Sequence, residues 1–352
     1  MTNRVRHLAT SARKRNVVLD SLKFASEAYN LSLLGEKNSD HGFKAPPKLP
    51  TISFTTENLK PGSSSWIAKC NDVRQALEDY GCFEAVYDKV SLDLDNNIFS
   101  ALEELFDLPT ETEAKNTSEI PYFGYIGNEP LVPLYESMGI DNAATLEETQ
   151  SFTNIMWSAG NDFFCETVHS YSKLVTELEQ AVKRMVFESY GVGKYYDSHI
   201  GSTTYILKLM KYRGPLMNET NIGVSNHMDK SFITILHQNK VYGLVVKTKD
   251  GVWIGFEHRP SSFIVMAGDA FLAWSNNRVH SPNHRVIMSG NEVRYSIGLF
   301  EFNKGIMQVP EELVDDEHPR QFKPFNHFGL LDFYYIDPLN RGECMAKAYC
   351  GV

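Results

Sequence analysis

The sequence is poor in cysteine, in long apolar runs and in excess positive charge. Its five cysteines include no C-x-x-C pair, which predicts a reduced intracellular protein rather than a disulfide-stapled one. No stretch of about 18 apolar residues predicts a transmembrane helix, and no signal-peptide segment is visible. A net charge of −10 does not favour nucleic-acid binding. We therefore expect a cytoplasmic monomer without nucleic-acid or membrane partners.

The 352 residues suffice for one large domain or two small ones. Residues 1–46 start with a basic, Ser/Thr-containing segment that has no acidic residue before Asp20. This composition suits an organelle-targeting peptide, and the alternative is an extension that lies outside the fold, without order of its own. We divide the rest into a mainly helical region at 47–200, a strand-rich core at 201–305 and a helical tail at 306–352.

Helix signals dominate the first half of the chain. A helix is predicted over Ile67–Tyr80, closed by Gly81. A second is predicted from an N-cap at Ser91 to Leu108, before a proline that stops it. The longest, Thr167–Tyr190, carries an apolar stripe at helical spacing and needs a sheet to cover that stripe.

Strand signals take over from Thr203, where short β-branched or aromatic segments alternate with Gly, Asn, Asp or Pro. Such strands without crossover helices predict a sandwich or a jelly roll, and we interpret the core as a double-stranded β-helix, a cupin-like jelly roll. The fold class is therefore α+β, with an N-terminal α/β region and the long helix as support. K-D-G at 249–251 and S-G-N at 289–291 are predicted hairpin turns. The second is expected to pair the strand of His284 with the strand of Arg294.

A metal site is indicated by His227-Met228-Asp229, the one H-x-D/E sequence in the chain. On a strand, residues i and i+2 share a face and can reach one metal ion, although a surface His–Asp pair is the alternative reading. His284 is the predicted third ligand, because it opens a strand. The rival histidines are His237, His258 and His280. Two imidazoles and one carboxylate on one face of an octahedral ion suit non-haem Fe(II) and oxygen chemistry.

Arg294 and Ser296 follow on the next predicted strand and share one of its faces. The buried distal carboxylate of 2-oxoglutarate needs a planar, bidentate partner, which arginine supplies and lysine does not. A serine hydroxyl two residues further can donate one more hydrogen bond. An exposed arginine on an edge strand is the alternative reading.

From about residue 47 onward the sequence resembles the plant 2-oxoglutarate/Fe(II)-dependent dioxygenases. The resemblance is carried by H-M-D-K-S-F-I-T-I-L-H-Q-N and S-F-I-V-M-A-G-D-A-F-L-A-W-S-N-N-R-V-H-S-P-N-H-R-V, and it points to the AOP-type and auxin-oxidising branch. By this resemblance the iron ligands are His227, Asp229 and His284, and 2-oxoglutarate is held by Arg294, Ser296 and Tyr212. Tyr212 would touch the carboxylate next to the keto group. The resemblance also implies O₂ as oxidant and ascorbate as reductant.

Three kinds of observation suggest where the primary substrate binds: the resemblance for Phe300, strand parity with Tyr212 for Lys208 and Met210, and a loop that could cover the barrel mouth for Tyr125. The candidates are Phe300, Tyr125, Lys208 and Met210, each of which could instead be an ordinary core side chain. Met210 stands where relatives often have an asparagine near the cosubstrate. Because Asp229 is retained, halogenation is not expected.

The sequence therefore predicts an enzyme that oxidises a small plant specialised metabolite, by hydroxylation, demethylation or desaturation, and releases succinate and CO₂. Oxidation of auxin, indole-3-acetic acid, is the alternative within the family. Three other readings stay open: an oxidase of this fold that does not use 2-oxoglutarate, a non-catalytic metal-binding jelly roll, and a scaffold without metal.

Overall fold

The computed structural model describes residues 48–336 and 344–352, so the expectations for residues 1–46 lie outside the described part of the chain. The helices are Ser64–Asp79 (α1), Leu92–Leu105 (α2), Thr110–Glu113 (α3), Leu146–Met156 (α4), Asp162–Ser189 (α5), Tyr196–Gly201 (α6), Asp269–Trp274 (α7), His327–Ile336 (α8) and Met345–Cys350 (α9). The strands are Thr51–Phe54 (β1), Cys82–Tyr87 (β2), Tyr135–Asp141 (β3), Thr203–Tyr212 (β4), Ile222–His227 (β5), Ile233–Gln238 (β6), Leu244–Lys247 (β7), Trp253–Gly255 (β8), Ser262–Ala267 (β9), His284–Ile287 (β10), Arg294–Asn303 (β11), Ile306–Met307 (β12) and Phe325–Asn326 (β13). Short 3-10 helices cover Gly193–Tyr195 and Glu311–Leu313.

Side-chain caps explain where the first two long helices begin. Helix α1 starts earlier than the apolar pattern predicts, because the Ser63 hydroxyl accepts a hydrogen bond from the Trp66 N–H at 3.1 Å. In α2 the Ser91 hydroxyl accepts from the Leu94 N–H at 3.2 Å, as predicted. Helix α2 ends at Leu105, one turn before the predicted end.

Gly81 closes α1 at φ +73°, and its position is tightly packed as well as left-handed. A Cβ there would lie 2.4 Å from the backbone oxygen of His280. Gly191, which follows α5 at φ +71°, has nothing within 4 Å of the same position. Replacing each glycine by alanine therefore distinguishes two contributions to the free energy of unfolding: the left-handed backbone, common to both sites, and steric overlap, present only at Gly81.

We expect Gly191→Ala to lower the free energy of unfolding by about 1–2 kcal/mol, the cost of a left-handed alanine. Gly81→Ala should lower it by clearly more, because the His280–Pro282 segment must also move. Urea denaturation of both variants against the unmodified protein measures the difference. Equal losses would contradict the proposed overlap with His280.

Helix α5 supports the fold, as predicted, and is longer than predicted at 28 residues. Its buried face packs on α1, α2 and the larger sheet. A buried ion-pair cluster fixes it to β11, because the Lys183 ammonium lies 3.1 Å from Glu179 Oε1 and 2.8 Å from Glu301 Oε1. Burial raises the pKa of Glu179 to about 8, and the neighbouring carboxylate of Glu301 adds to the rise.

Two sheets form the predicted jelly roll. The larger has the order β1-β2-β9-β6-β11-β4-β3 and the smaller β5-β10-β7-β8. All pairs are antiparallel except β1 with β2. Because β1, β2 and β3 join the larger sheet, the first region is not only helical. The boundaries after residues 46, 200 and 305 stay a prediction, and no described helix is long and apolar enough to cross a membrane.

One predicted hairpin is confirmed and one is wrong. K-D-G at 249–251 joins the paired strands β7 and β8, with Lys247 opposite Trp253. The S-G-N turn at 289–291 does not pair the strands on its two sides. Strand β10 pairs with β5 and β7, whereas β11 pairs with β4 and β6. The turn instead carries the chain from the smaller sheet to the larger, which places the strands of His284 and Arg294 in different sheets.

Candidate active site

Strand pairing brings the two candidate histidine ligands together. His227 is the last residue of β5 and His284 the first of β10, and the two are direct partners in the antiparallel ladder. Their ring centroids lie 4.2 Å apart. Asp229 lies two residues beyond the end of β5, in the turn that follows rather than on the strand. Convergence with Asp229 therefore depends on the turn, not on strand alternation as the sequence suggested.

The three side chains present their ligand atoms to one point. Asp229 Oδ1 lies 3.7 Å from His227 Nε2 and 3.6 Å from His284 Nε2, and all three ligand atoms lie within 4.8 Å of one another. The Nδ1 atoms face the backbone oxygens of Ser225 at 2.8 Å and Pro282 at 3.3 Å. These carbonyls accept the Nδ1 hydrogens, which leaves both Nε2 lone pairs directed at the shared point.

The hydrogen bonding of the Asp229 carboxylate and the lowered pKa of His227 also suit a metal ion. Asp229 Oδ2 accepts a hydrogen bond from Thr234 Oγ1 at 2.7 Å, so Oδ1 is the atom left for a metal. Burial lowers the pKa of His227 to about 4, and the nearby His284 lowers it further. A neutral imidazole is the form that binds metal. Two imidazoles and one carboxylate fit Fe(II) with open coordination positions.

The rival histidines do not reach this point. Within residues 48–336 and 344–352, His227, Asp229 and His284 form the one group of three His, Cys, Asp or Glu side chains whose ligand atoms converge. His237 instead bridges the Tyr171 hydroxyl at 3.1 Å and Asp95 Oδ1 at 2.9 Å. The other two rivals, His258 and His280, stand outside the converging group as well.

Arg294 is a buried cation without a carboxylate partner among the described residues. Its side chain is 3% exposed. One terminal nitrogen donates to Ser296 Oγ at 3.1 Å and the other to Gln238 Oε1 at 2.8 Å, while Nε has no hydrogen-bond partner in the described structure. Because an unpaired buried charge is costly, this guanidinium fits an anionic ligand, and its planar fork fits a carboxylate. The residues therefore fit 2-oxoglutarate.

Tyr212 lies beside Arg294, because the two residues are partners in the β4–β11 ladder. The guanidinium carbon stands 4.9 Å from the centre of the tyrosine ring. Burial raises the pKa of Tyr212, so the phenol keeps its proton. The structure thus places Tyr212 against the arginine.

All these groups line one cavity of about 570 Å³ between the two sheets. Its wall includes all six predicted iron and 2-oxoglutarate residues. The remaining wall is mostly apolar or aromatic, with Tyr122, Phe123, Ile126, Leu131, Val132, Ile206, Leu236, Val286, Phe302, Leu331, Tyr334 and Tyr335 among its members. The arrangement has room for a small molecule beside the metal ligands.

Three of the four predicted substrate residues line this cavity, and one does not. Lys208 and Met210 reach it because they alternate with Tyr212 along β4, and Phe300 reaches it from β11. Tyr125 is not part of the cavity wall, and its hydroxyl donates to Glu136 Oε1 at 2.7 Å instead. The polar partner holds that ring away from the cavity.

Of two further parts of the wall, one was predicted from the sequence only through the loop at Tyr125, and the other was missed. The segment between Tyr122 and Tyr135 closes one side, and helix α8 contributes Leu331, Tyr334 and Tyr335. The Tyr122 and Tyr335 rings stack at 4.8 Å, which joins these two parts. Neither segment has a residue period or metal-binding motif that marks it as functional, although the prolines at 130 and 133 indicate an irregular loop.

Comparison with known proteins agrees with this geometry. Residues 192–303 match the family model of the 2OG-Fe(II) oxygenase superfamily, and residues 49–151 match that of the non-haem dioxygenase in morphine synthesis N-terminal region. The probable 2-oxoglutarate-dependent dioxygenase AOP1.2 of Arabidopsis thaliana is 48% identical over 298 residues, 82% of this chain and 92% of that protein. The 2-oxoglutarate-dependent dioxygenase AOP3 of the same plant is 33% identical, over 87% and 98% respectively.

Solved structures give the same assignment. The dioxygenase for auxin oxidation from rice aligns with a TM-score of 0.74 at 28% identity, covering 87% of this chain and all of that one. The Arabidopsis thaliana dioxygenase for auxin oxidation 1, in its 2-oxoglutarate complex, aligns with a TM-score of 0.70 at 27% identity, over 77% of this chain and all of that one. Fold and site together define a non-haem iron oxygenase.

The chain belongs to the plant 2-oxoglutarate-dependent dioxygenases, with AOP proteins among its relatives. The enzyme class, with Fe(II) and 2-oxoglutarate as its cofactor and cosubstrate, is thereby confirmed. The non-catalytic and metal-free readings are set aside.

Proposed function

We propose that this dioxygenase oxidises a small plant specialised metabolite, with iron held by His227, Asp229 and His284. The observation that carries the proposal is Arg294, a buried guanidinium without a described carboxylate partner in the same cavity as the three ligands. When bound, iron and 2-oxoglutarate supply the oxidation of a substrate C–H bond by O₂, with release of succinate and CO₂.

The chain's own residues bind and orient the reactants. Arg294 holds the distal carboxylate of 2-oxoglutarate, Ser296 adds a hydroxyl, and Gln238 fixes one guanidinium nitrogen. Tyr212 packs on the guanidinium and limits its rotation. The apolar wall around Met210 and the aromatic rings that line the cavity exclude water from the site.

Lys208 supports a more specific substrate class. Its ammonium donates to the backbone oxygens of Tyr122 at 2.6 Å and Gly124 at 3.3 Å, and it forms no ion pair with a described residue. Burial lowers the pKa of Lys208 to about 7. Asp141 acts on this charge from beyond ion-pair distance. A substrate acid group would supply a direct counter-charge, while Phe300 contacts its apolar part. This favours an aromatic acid, and auxin oxidation is the specific candidate that the rice and Arabidopsis structures suggest.

Succinate formation with Fe(II), 2-oxoglutarate and ascorbate, the proposed reductant, tests both parts of this proposal. We expect small aromatic acids, indole-3-acetic acid among them, to stimulate it more than their methyl esters.

Lys208→Met should raise the KM of an acid roughly 30-fold or more, because one member of a buried charge pair is removed, and should leave the KM of the ester nearly unchanged. Equal effects on acid and ester would refute the role of Lys208. Absence of 2-oxoglutarate turnover under any condition would refute the oxygenase itself.

A further inference from the structure

The turn that carries Asp229 is held by donors from outside its own strand. It follows β5 and has no ladder partner, so its backbone oxygens need other hydrogen bonds. The Met228 oxygen accepts from Lys230 Nζ at 2.7 Å, and the Asp229 oxygen from the Asp269 N–H at 2.8 Å. The Lys230 oxygen faces His327 Nε2 at 2.7 Å, at the start of α8. Two of these three consecutive carbonyls are thus fixed by distant parts of the chain, and the third by the segment's own Lys230 side chain.

Asp269 connects this turn with the segment that leads to His284. Its side chain is fully buried. One carboxylate oxygen accepts from Lys230 Nζ at 2.7 Å, and the other from the Ser281 hydroxyl at 2.9 Å. Ser281 lies just before His284 in the chain. One carboxylate therefore holds the positions of both segments that bear the candidate metal ligands.

The backbone before Asp269 packs directly against the backbone that follows Asp229. The neighbouring Gly268 lies against the turn, and a Cβ at that position would stand 2.0 Å from the Ser231 oxygen. Only glycine permits the contact, which brings the Asp269 N–H within hydrogen-bonding distance of the Asp229 oxygen.

Lys230 also reaches the wall of the substrate cavity. Its ammonium lies 4.9 Å from the centre of the Tyr334 ring, and both residues line the cavity. Tyr334 belongs to α8, the helix whose first residue binds the Lys230 oxygen. The lysine therefore contacts the Met228 oxygen of the metal-ligand turn on one side and Tyr334 of helix α8 on the other.

We propose that the Lys230–Asp269 ion pair positions the metal ligands. It fixes the segment that carries Asp229 relative to the segment that leads to His284, and it connects both with helix α8. The inference rests on the proposed metal ligands. It assigns a role to two residues outside the ligand set, and it predicts that metal affinity depends on a lysine that does not touch the metal.

Cobalt(II) alone, added to metal-free protein and followed by its visible absorption, tests the pair without turnover. We expect Lys230→Met to bind cobalt about 10–100-fold more weakly, the usual effect of losing a group that orients metal ligands. Lys230→Arg should recover part of the affinity, because it keeps the charge beside Asp269. Lys211→Met is the matched control. Lys211 also donates to a backbone oxygen and pairs with a carboxylate, but it lies on the face of β4 opposite to Met210 and Tyr212 and does not line the cavity.

The outcomes separate the two proposals. If the unmodified protein and Lys211→Met bind cobalt tightly and Lys230→Met binds it equally well, the positioning role is refuted while the metal site stands. If the unmodified protein binds no cobalt, the metal site itself is refuted. Should Lys230→Met fail to fold, Ser281→Ala removes only the hydroxyl that holds Asp269. Its cobalt affinity should fall several-fold, and unchanged affinity would refute the positioning role.

Discussion

His284→Ala should reduce turnover to background and weaken Fe(II) binding by more than about 100-fold, beyond the effect of losing a group that only orients a ligand. The reason is geometric, because His284 Nε2 lies 3.6 Å from Asp229 Oδ1 and beside the His227 ring. Two remaining ligands would hold the ion poorly. Metal content after dialysis, together with succinate formation, measures both effects.

His280→Ala is the control from the same segment. The His280 N–H is bound to the Leu77 oxygen at 3.1 Å, a contact that the substitution keeps. The imidazole lies outside the converging ligand group. This variant should fold and keep most of its iron affinity. Loss of metal in His280→Ala, with retention in His284→Ala, would overturn the ligand assignment.

Arg294→Leu should raise the KM for 2-oxoglutarate by roughly 30-fold to several thousandfold, which corresponds to about 2–5 kcal/mol for one member of a buried charge pair. The loss is large because Arg294 is 3% exposed and no described carboxylate could take the place of the ligand's. Steady-state succinate formation at saturating primary substrate gives the KM.

Arg294→Lys should weaken the same interaction with 2-oxoglutarate to a smaller extent. Lysine keeps the charge but loses the planar fork that also binds Ser296 and Gln238. Its KM should fall between those of the unmodified enzyme and Arg294→Leu. An unchanged dependence on 2-oxoglutarate in Arg294→Leu would place the cosubstrate elsewhere in the cavity.

Local features could be predicted from the sequence because their causes are local. Ser91 caps a helix through the nearest N–H groups, and Gly81 is needed where the chain turns left-handed. The alternation of Lys208, Met210 and Tyr212 along one strand follows from the two-residue period. The H-x-D pair and the later histidine were predicted in the same way, from residue types and spacing.

Contacts between distant segments could not be predicted in that way. The S-G-N turn has the same local chemistry whether it joins paired strands or crosses between sheets, and only the pairing of β10 with β5 decided the matter. Tyr125 has a sequence context that suits a cavity, yet its contact with Glu136 depends on the neighbouring β3 strand. The network around Asp269 likewise joins residues that are far apart in the chain.

The sequence by itself indicated the reaction class, because few residue types bind Fe(II) and a dicarboxylate and because the segments around His227 and His284 resemble one family. Tertiary structure alone decided the shape of the substrate cavity. Its wall combines β4, the segment from Tyr122 to Tyr135, and helix α8, which are widely separated in sequence. Apolar and aromatic residues in such segments have the same local preferences whether they face a core or a cavity, so only their packing distinguishes the two.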